Sequence, residues 1–186
     1  DWAAKECYHS KNTWISGLDA DCSIDENYLS SLDRYFDSMP NIQGASIKFE
    51  HPYTDPQTDP YIHYYESHLR YLKLALQWAQ FPFYYHTVGS SMVVRASIYK
   101  KVGGMNHKKA GEDFYFLQKI MPHGYGEIND TCIFPSSRMS DRVPFGTGRA
   151  MGSMINEDHW IKPYPILAFR NVRVLMEHIQ NLYQTP

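Results

Sequence analysis

The run Thr13-Trp14-Ile15-Ser16-Gly17-Leu18-Asp19-Ala20-Asp21 decides the fold. Its apolar half is too short for a helix and predicts a strand of a buried sheet, ending on two carboxylates. Immediately downstream, Ser23-Ile24-Asp25-Glu26 carries the capping-box pattern, a hydroxyl followed three residues later by a carboxylate. Tyr28, Leu29, Leu32, Tyr35 and Phe36 then recur at helical spacing until Pro40 stops the run. Gly44-Ala45-Ser46-Ile47-Lys48-Phe49 reads as a second strand. Strand, helix, strand is the unit of a parallel α/β sheet.

Further out the pattern continues. Residues 50–60 are rich in His, Pro, Asp and Thr, which is loop chemistry. Ile62, Tyr65, Leu69, Leu72, Leu76 and Ala79 fall three and four apart, an amphipathic helix ended near Pro82. Residues 90–95 are β-prone, and a short helix over 96–102 closes on Gly103-Gly104. Phe114, Leu117, Ile120 and Met121 mark a helix over 112–121, and residues 128–135 contain another strand. Residues 136–148 have no periodicity and read as a long loop, whereas Val172, Leu175, Met176, Ile179 and Leu182 form an amphipathic helix over 166–182.

Composition bounds what such a chain does. It has 186 residues, a net charge of -2, 43% hydrophobic and 20% charged residues, enough for one domain with a sizeable core. The near-neutral balance argues against a nucleic-acid binder, which needs clustered Lys and Arg. No stretch approaches the ~18 apolar residues of a membrane span. Cys7, Cys22 and Cys132 form no CxxC pair, which points to a reducing compartment, and the polar residues 1–9 show no signal-peptide pattern. Tyr is abundant, 15 in all, with many between Tyr53 and Tyr85; such residues serve core packing or stacking on ring-shaped ligands. The nine His are dispersed, without HExxH or any zinc-type spacing. No Gly-x-Ser-x-Gly elbow, Walker loop or Gly-x-Gly-x-x-Gly turn occurs, so hydrolase, ATP and NAD readings lack their main support.

Four constellations carry chemistry. Asp19 and Asp21 stand at the carboxyl end of a strand, where open α/β sheets bind ligands. Two carboxylates at i and i+2 suit Mg or Mn shared with substrate phosphates, or else one of them caps the next helix. Glu112 and Asp113 open a helix, where they complement its dipole or supply a general base. Gly89-Ser90-Ser91 and Val102-Gly103-Gly104-Met105 flank a short helix. Arg138 and Arg142 lie in the Gly-containing loop, positioned to cover a diphosphate or simply solvated.

In this order, the Leu18-Asp19-Ala20-Asp21 strand end, the Glu26-Asn27-Tyr28-Leu29 helix entry, the Gly89 to Arg95 segment, the Gly103-Gly104 turn and Gly111-Glu112-Asp113-Phe114 resemble family 2 glycosyltransferases of the GT-A fold. The resemblance runs from about Trp14 to Pro135. It implies a GT-A-like, mostly parallel α/β sheet flanked by helices. It also implies transfer of a sugar from a nucleotide diphosphate sugar to an acceptor hydroxyl, with inversion. Asp19 and Asp21 would form the Asp-x-Asp motif, with Asp21 on a divalent Mg or Mn and Asp19 supporting the ion or the donor. Asp113 would serve as catalytic base beside Glu112, and Gly89, Ser90 and Ser91 would line the acceptor side. Arg138 and Arg142 join the donor-binding set.

The Gln-x-x-Arg-Trp motif of processive members is absent, since Trp160 follows Glu157-Asp158-His159, so a non-processive enzyme is expected. Family members place a nucleotide-base-binding half before the Asp-x-Asp strand, and only Asp1 to Asn12 stand there in this sequence. The expected organisation is therefore an N-terminally incomplete fold, with a catalytic portion over 1–150 and a helical extension over 151–186. Expected partners are the nucleotide sugar and a carbohydrate or lipid-linked acceptor, with self-association through an open sheet edge. The expected location is cytoplasmic or peripheral to the inner membrane face. The competing readings are a nucleotidyltransferase on a related sheet and an inactive scaffold that binds sugar or protein.

Overall fold

The structure is a computed structural model that describes residues 13–53, 55–105, 111–137, 146–157 and 159–179. Its elements are β1 (Trp14–Gly17), β2 (Ser23–Ile24), α1 (Tyr28–Ser38), β3 (Gly44–Phe49), α2 (Asp59–Trp78), β4 (Met92–Arg95), α3 (Ala96–Lys101), α4 (Glu112–Ile120), β5 (Tyr125–Phe134), α5 (Thr147–Asn156) and α6 (Ile166–Ile179). The five strands form one sheet in the order β1-β4-β3-β5-β2.

The α/β class stands, but the sheet is mixed rather than mostly parallel. Only β3 and β5 pair in parallel; β4 runs antiparallel between β1 and β3, and β2 antiparallel along β5. β1 and β3 do point the same way, as a strand-helix-strand unit requires. The inserted β4 supplies the hydrogen bonds that either would otherwise make to the other.

The capping box also resolves differently. Ser23 and Ile24 pair with Phe134 and Ile133 of β5, so the Ser23 backbone belongs to the sheet instead of the helix entry. The Asp25 carboxylate accepts from the Cys132 backbone N–H at 2.7 Å, and α1 begins at Tyr28 without a side-chain cap. Pairing at the sheet edge has outcompeted a local cap.

Each face of the sheet buries one helix. The α1 stripe of Tyr28, Leu32 and Phe36 packs on Ala45, Ile47, Val93 and Ile128, while Phe116, Leu117 and Ile120 of α4 pack on Met92, Val94 and Tyr125. Leu32 is fully buried, so truncation to Ala is expected to cost ~2–5 kcal/mol. Arg95, at the end of β4, donates to the carbonyls of Phe36 and Ile42, both at 2.8 Å, and ties the end of α1 to the sheet.

The expected loop runs to 148 and the expected helical extension starts at 151, yet residues 147–156 form one helix, α5. Gly148 and Gly152 lower helix propensity, and tertiary burial overrides it: Met151 and Met154 close a cluster with Ile62 of α2. Many of the tyrosines serve α2 as clamps. Tyr64 and Tyr71 donate to the carbonyls of Ile161 and Tyr164, each at 2.6 Å, and Tyr61 stacks on Trp160 at 5.2 Å. They hold the chain leading to α6, whose Phe169 is buried on Ala75 and Ala79. Among the described residues no helix is long and apolar enough to cross a membrane.

Candidate active site

The site forms where β1 ends. The Cys22 N–H donates to the Asp19 carbonyl at 3.0 Å, closing a turn over residues 19–22. The turn, rather than an extended strand, brings the side chains together. Ligand atoms of Asp19, Asp21 and Cys22 all lie within 4.8 Å of one another, with both carboxylates exposed and the thiol half-buried. Two carboxylate oxygens and one thiol at this spacing could hold a metal ion. Burial pushes the Cys22 thiol up, and repulsion from Asp19 and Asp21 adds to this against a hydrogen bond with Ser90.

The second wall comes from the 3-10 turn Gly89–Ser91. Gly17 sits so tightly against it that a Cβ there would overlap the Gly89 carbonyl oxygen. On its other side Gly89 faces Asp113: a Cβ on Gly89 would stand 3.2 Å from Asp113 Oδ2. These two glycines permit the strand end, the turn and the acid to share one small volume. Ser90 reaches the Cys22 thiol, completing the link from the acidic turn to the Gly89–Ser91 segment.

Asp113 is placed by the start of α4. Gly111 holds a left-handed conformation (φ 72°) that turns the chain into the helix. The Phe114 N–H donates to Asp113 Oδ1 at 2.7 Å. Burial raises the Asp113 pKa, and the charge of Glu112 raises it further, against hydrogen bonds from the backbone N–H groups of Phe114 and Gly89. Glu112 Oε2 and Ser91 Oγ are buried without a hydrogen-bond partner among the described residues.

A cavity of about 390 Å³ opens beside the acidic turn, lined by Asp21, Cys22 and Ser23 on one side and by Pro52 and residues 134–137 on the other. Arg138 and Arg142 lie outside the described residues; the cavity reaches the segment that leads to them. The structure thus brings Asp19, Asp21, Gly89, Ser90 and Asp113 into one neighbourhood, with Glu112 alongside. Cys22 and Gly17 belong to it too, and no spacing in the sequence announced them. The only available signal was a small residue before the strand end, which takes meaning from the Gly89 contact alone.

Residues 14–176 match the family described as glycosyl transferase family group 2. No curated protein and no solved structure matches the chain significantly. The match covers most of the chain, from β1 into α6. With that span matched, the chain belongs to glycosyl transferase family group 2.

Proposed function

We propose that this chain transfers a sugar from a nucleotide diphosphate sugar to an acceptor hydroxyl, with inversion, one unit at a time, and with a divalent metal. The observation that carries the reading is the Asp113 carboxylate held against Gly89, on the turn that packs on the strand leading to Asp19 and Asp21. Asp113 takes the proton of the acceptor hydroxyl as that oxygen forms its bond to the anomeric carbon; the nucleoside diphosphate leaves with the electron pair of the broken bond. A base needs an affinity for the proton it takes, and burial beside Glu112 gives Asp113 more than an ordinary carboxylate has. Asp19 and Asp21 would hold the Mg or Mn ion, which when bound offsets charge on the diphosphate. Ser90 and Ser91 line the acceptor side with Gly89, and Arg138 and Arg142 cover the diphosphate.

The test is a panel of uridine, guanosine and thymidine diphosphate sugars, offered with Mn and a mixture of saccharide acceptors. Release of nucleoside diphosphate coupled to a lengthened acceptor is expected. If no donor is turned over with any acceptor or metal by a chain that binds the donor, the transferase reading fails.

A further inference from the structure

A second cavity, of about 440 Å³, lies between β3, β5 and α2, separate from the cavity at Asp21. Ser46, Lys48, Arg70, Lys73, His86 and Glu127 stand on its walls, none of them part of the site above. The β3–β5 pairing jumps from Ile47↔Ile128 to Lys48↔Cys132, and the bulge so formed in β5 sets Asn129 on the cavity wall. The bulge is pinned from α1: Asn27 donates to the Asp130 carbonyl at 2.9 Å and Arg34 to the Asp130 carboxylate at 2.6 Å. A distortion held by two such hydrogen bonds is a maintained feature of the fold.

Each cation on the walls is paired, Lys73 and Lys48 with wall carboxylates and Arg70 with Glu66, which lies outside the lining. Lys73 meets Glu127 at 2.9 Å, Lys48 meets Glu50 at 3.0 Å, and Arg70 meets Glu66 at 2.6 Å. Burial lowers the His86 pKa and keeps its ring neutral at neutral pH. With each cation already matched, the cavity offers no net positive field to a phosphate. It offers acceptors and donors side by side. A hydroxyl uses both at once, donating to a carboxylate and accepting from an ammonium, guanidinium or amide. A ligand made of neutral hydroxyls is a saccharide.

The cavity is also on the right side of the molecule. The Ser46 hydroxyl donates to the His86 carbonyl at 2.9 Å, fixing the chain that enters the Gly89 turn. His86 precedes Gly89 by three residues, a reach of at most about 10 Å. Gly89 abuts Asp113. We propose that this cavity is a binding subsite for a neutral saccharide acceptor, with the Lys73–Glu127 pair and Asn129 contacting its hydroxyls. The assignment of the bound saccharide as acceptor rests on the transferase reading above.

Saturation-transfer NMR on the whole chain tests it, with maltose, cellobiose, lactose and N,N′-diacetylchitobiose as probes and inorganic phosphate as competitor. At least one disaccharide is expected to receive saturation, and phosphate is not expected to displace it. Asn129→Trp fills the cavity without touching any ion pair and should weaken disaccharide binding about tenfold or more. A Lys73→Met, Glu127→Gln double variant removes the pair together and should do the same. Binding of none of the disaccharides, displacement by phosphate, or binding unchanged in Asn129→Trp overturns the subsite. Disaccharide binding that is sensitive to Asn129→Trp, in a chain that turns over no nucleotide sugar, upholds the saccharide site and sinks the transferase reading instead.

Discussion

Glu66 and Asp113 are both carboxylates largely withdrawn from water, and their surroundings push them in opposite directions. Burial alone would raise Glu66, but the His51 ring, the His51 backbone N–H and the Arg70 guanidinium outweigh it and hold its pKa at about 2. Both His51 contacts are 2.7 Å, and Arg70 stands at 2.6 Å. Asp113 has burial on one side of the ledger and the charge of Glu112 added to it, so its pKa rises. Among the described residues no cation pairs with it. A carboxylate that anchors structure is saturated with donors; one poised to take a proton is left short of them.

Breaking that contrast at its functional end should have the largest effect. Asp113→Asn is expected to lower kcat about 10²–10⁴-fold, the range for a lost general base, with the donor dissociation constant unchanged. Steady-state kinetics and isothermal calorimetry read the two quantities separately, and a native kcat would move the base to Glu112. At the other acidic group, Asp21→Ala should abolish the dependence of donor binding on Mn. EDTA treatment of the unaltered chain should lower donor affinity to the level of that variant. Donor binding that is equal with Mn and with EDTA would remove the metal role.

The structural end of the contrast predicts stability instead. Glu66→Gln leaves His51 and Arg70 with a weaker acceptor and should cost about 1–3 kcal/mol in urea unfolding at pH 7. The sign with pH follows from its depressed pKa. The contribution of Glu66 is complete above the ordinary value of 4.5 and is lost as pH falls toward about 2. The difference between Glu66→Gln and the native chain should therefore shrink across that window. Asp113 has the opposite sign. Its raised pKa means that ionisation costs stability, a cost that grows as pH rises above 3.8. Asp113→Asn should accordingly raise the melting temperature slightly at pH 7 while slowing transfer. A melting temperature that falls instead would show that the Asp113 carboxylate anchors α4.

Much of the site was legible before any fold was known. Asp19 and Asp21 follow an apolar run, and Glu112 and Asp113 follow a glycine at a helix start, so local chemistry marks both. Their meeting was not legible, because it runs through Gly17 against Gly89, two positions 72 residues apart with nothing local to announce them. The cavity bounded by Arg70, Lys73 and Glu127 was hidden for the same reason. Arg70 and Lys73 lie on α2 and Glu127 on β5, and only the fold sets them around one cavity.

What the sequence determined by itself was the identity and approximate span of most elements, since helical and strand periodicities are local and the Pro and Gly stops are strong. It also determined the acidic chemistry at the ends of β1 and at the start of α4. The tertiary structure alone decided that β4 lies antiparallel between β1 and β3, that Ser23–Ile24 joins the sheet, and that α5 starts as early as Thr147. In each case the deciding energy is non-local. A ladder partner or a buried face outweighs a local preference worth about 1 kcal/mol, and a single segment's sequence does not contain its partner.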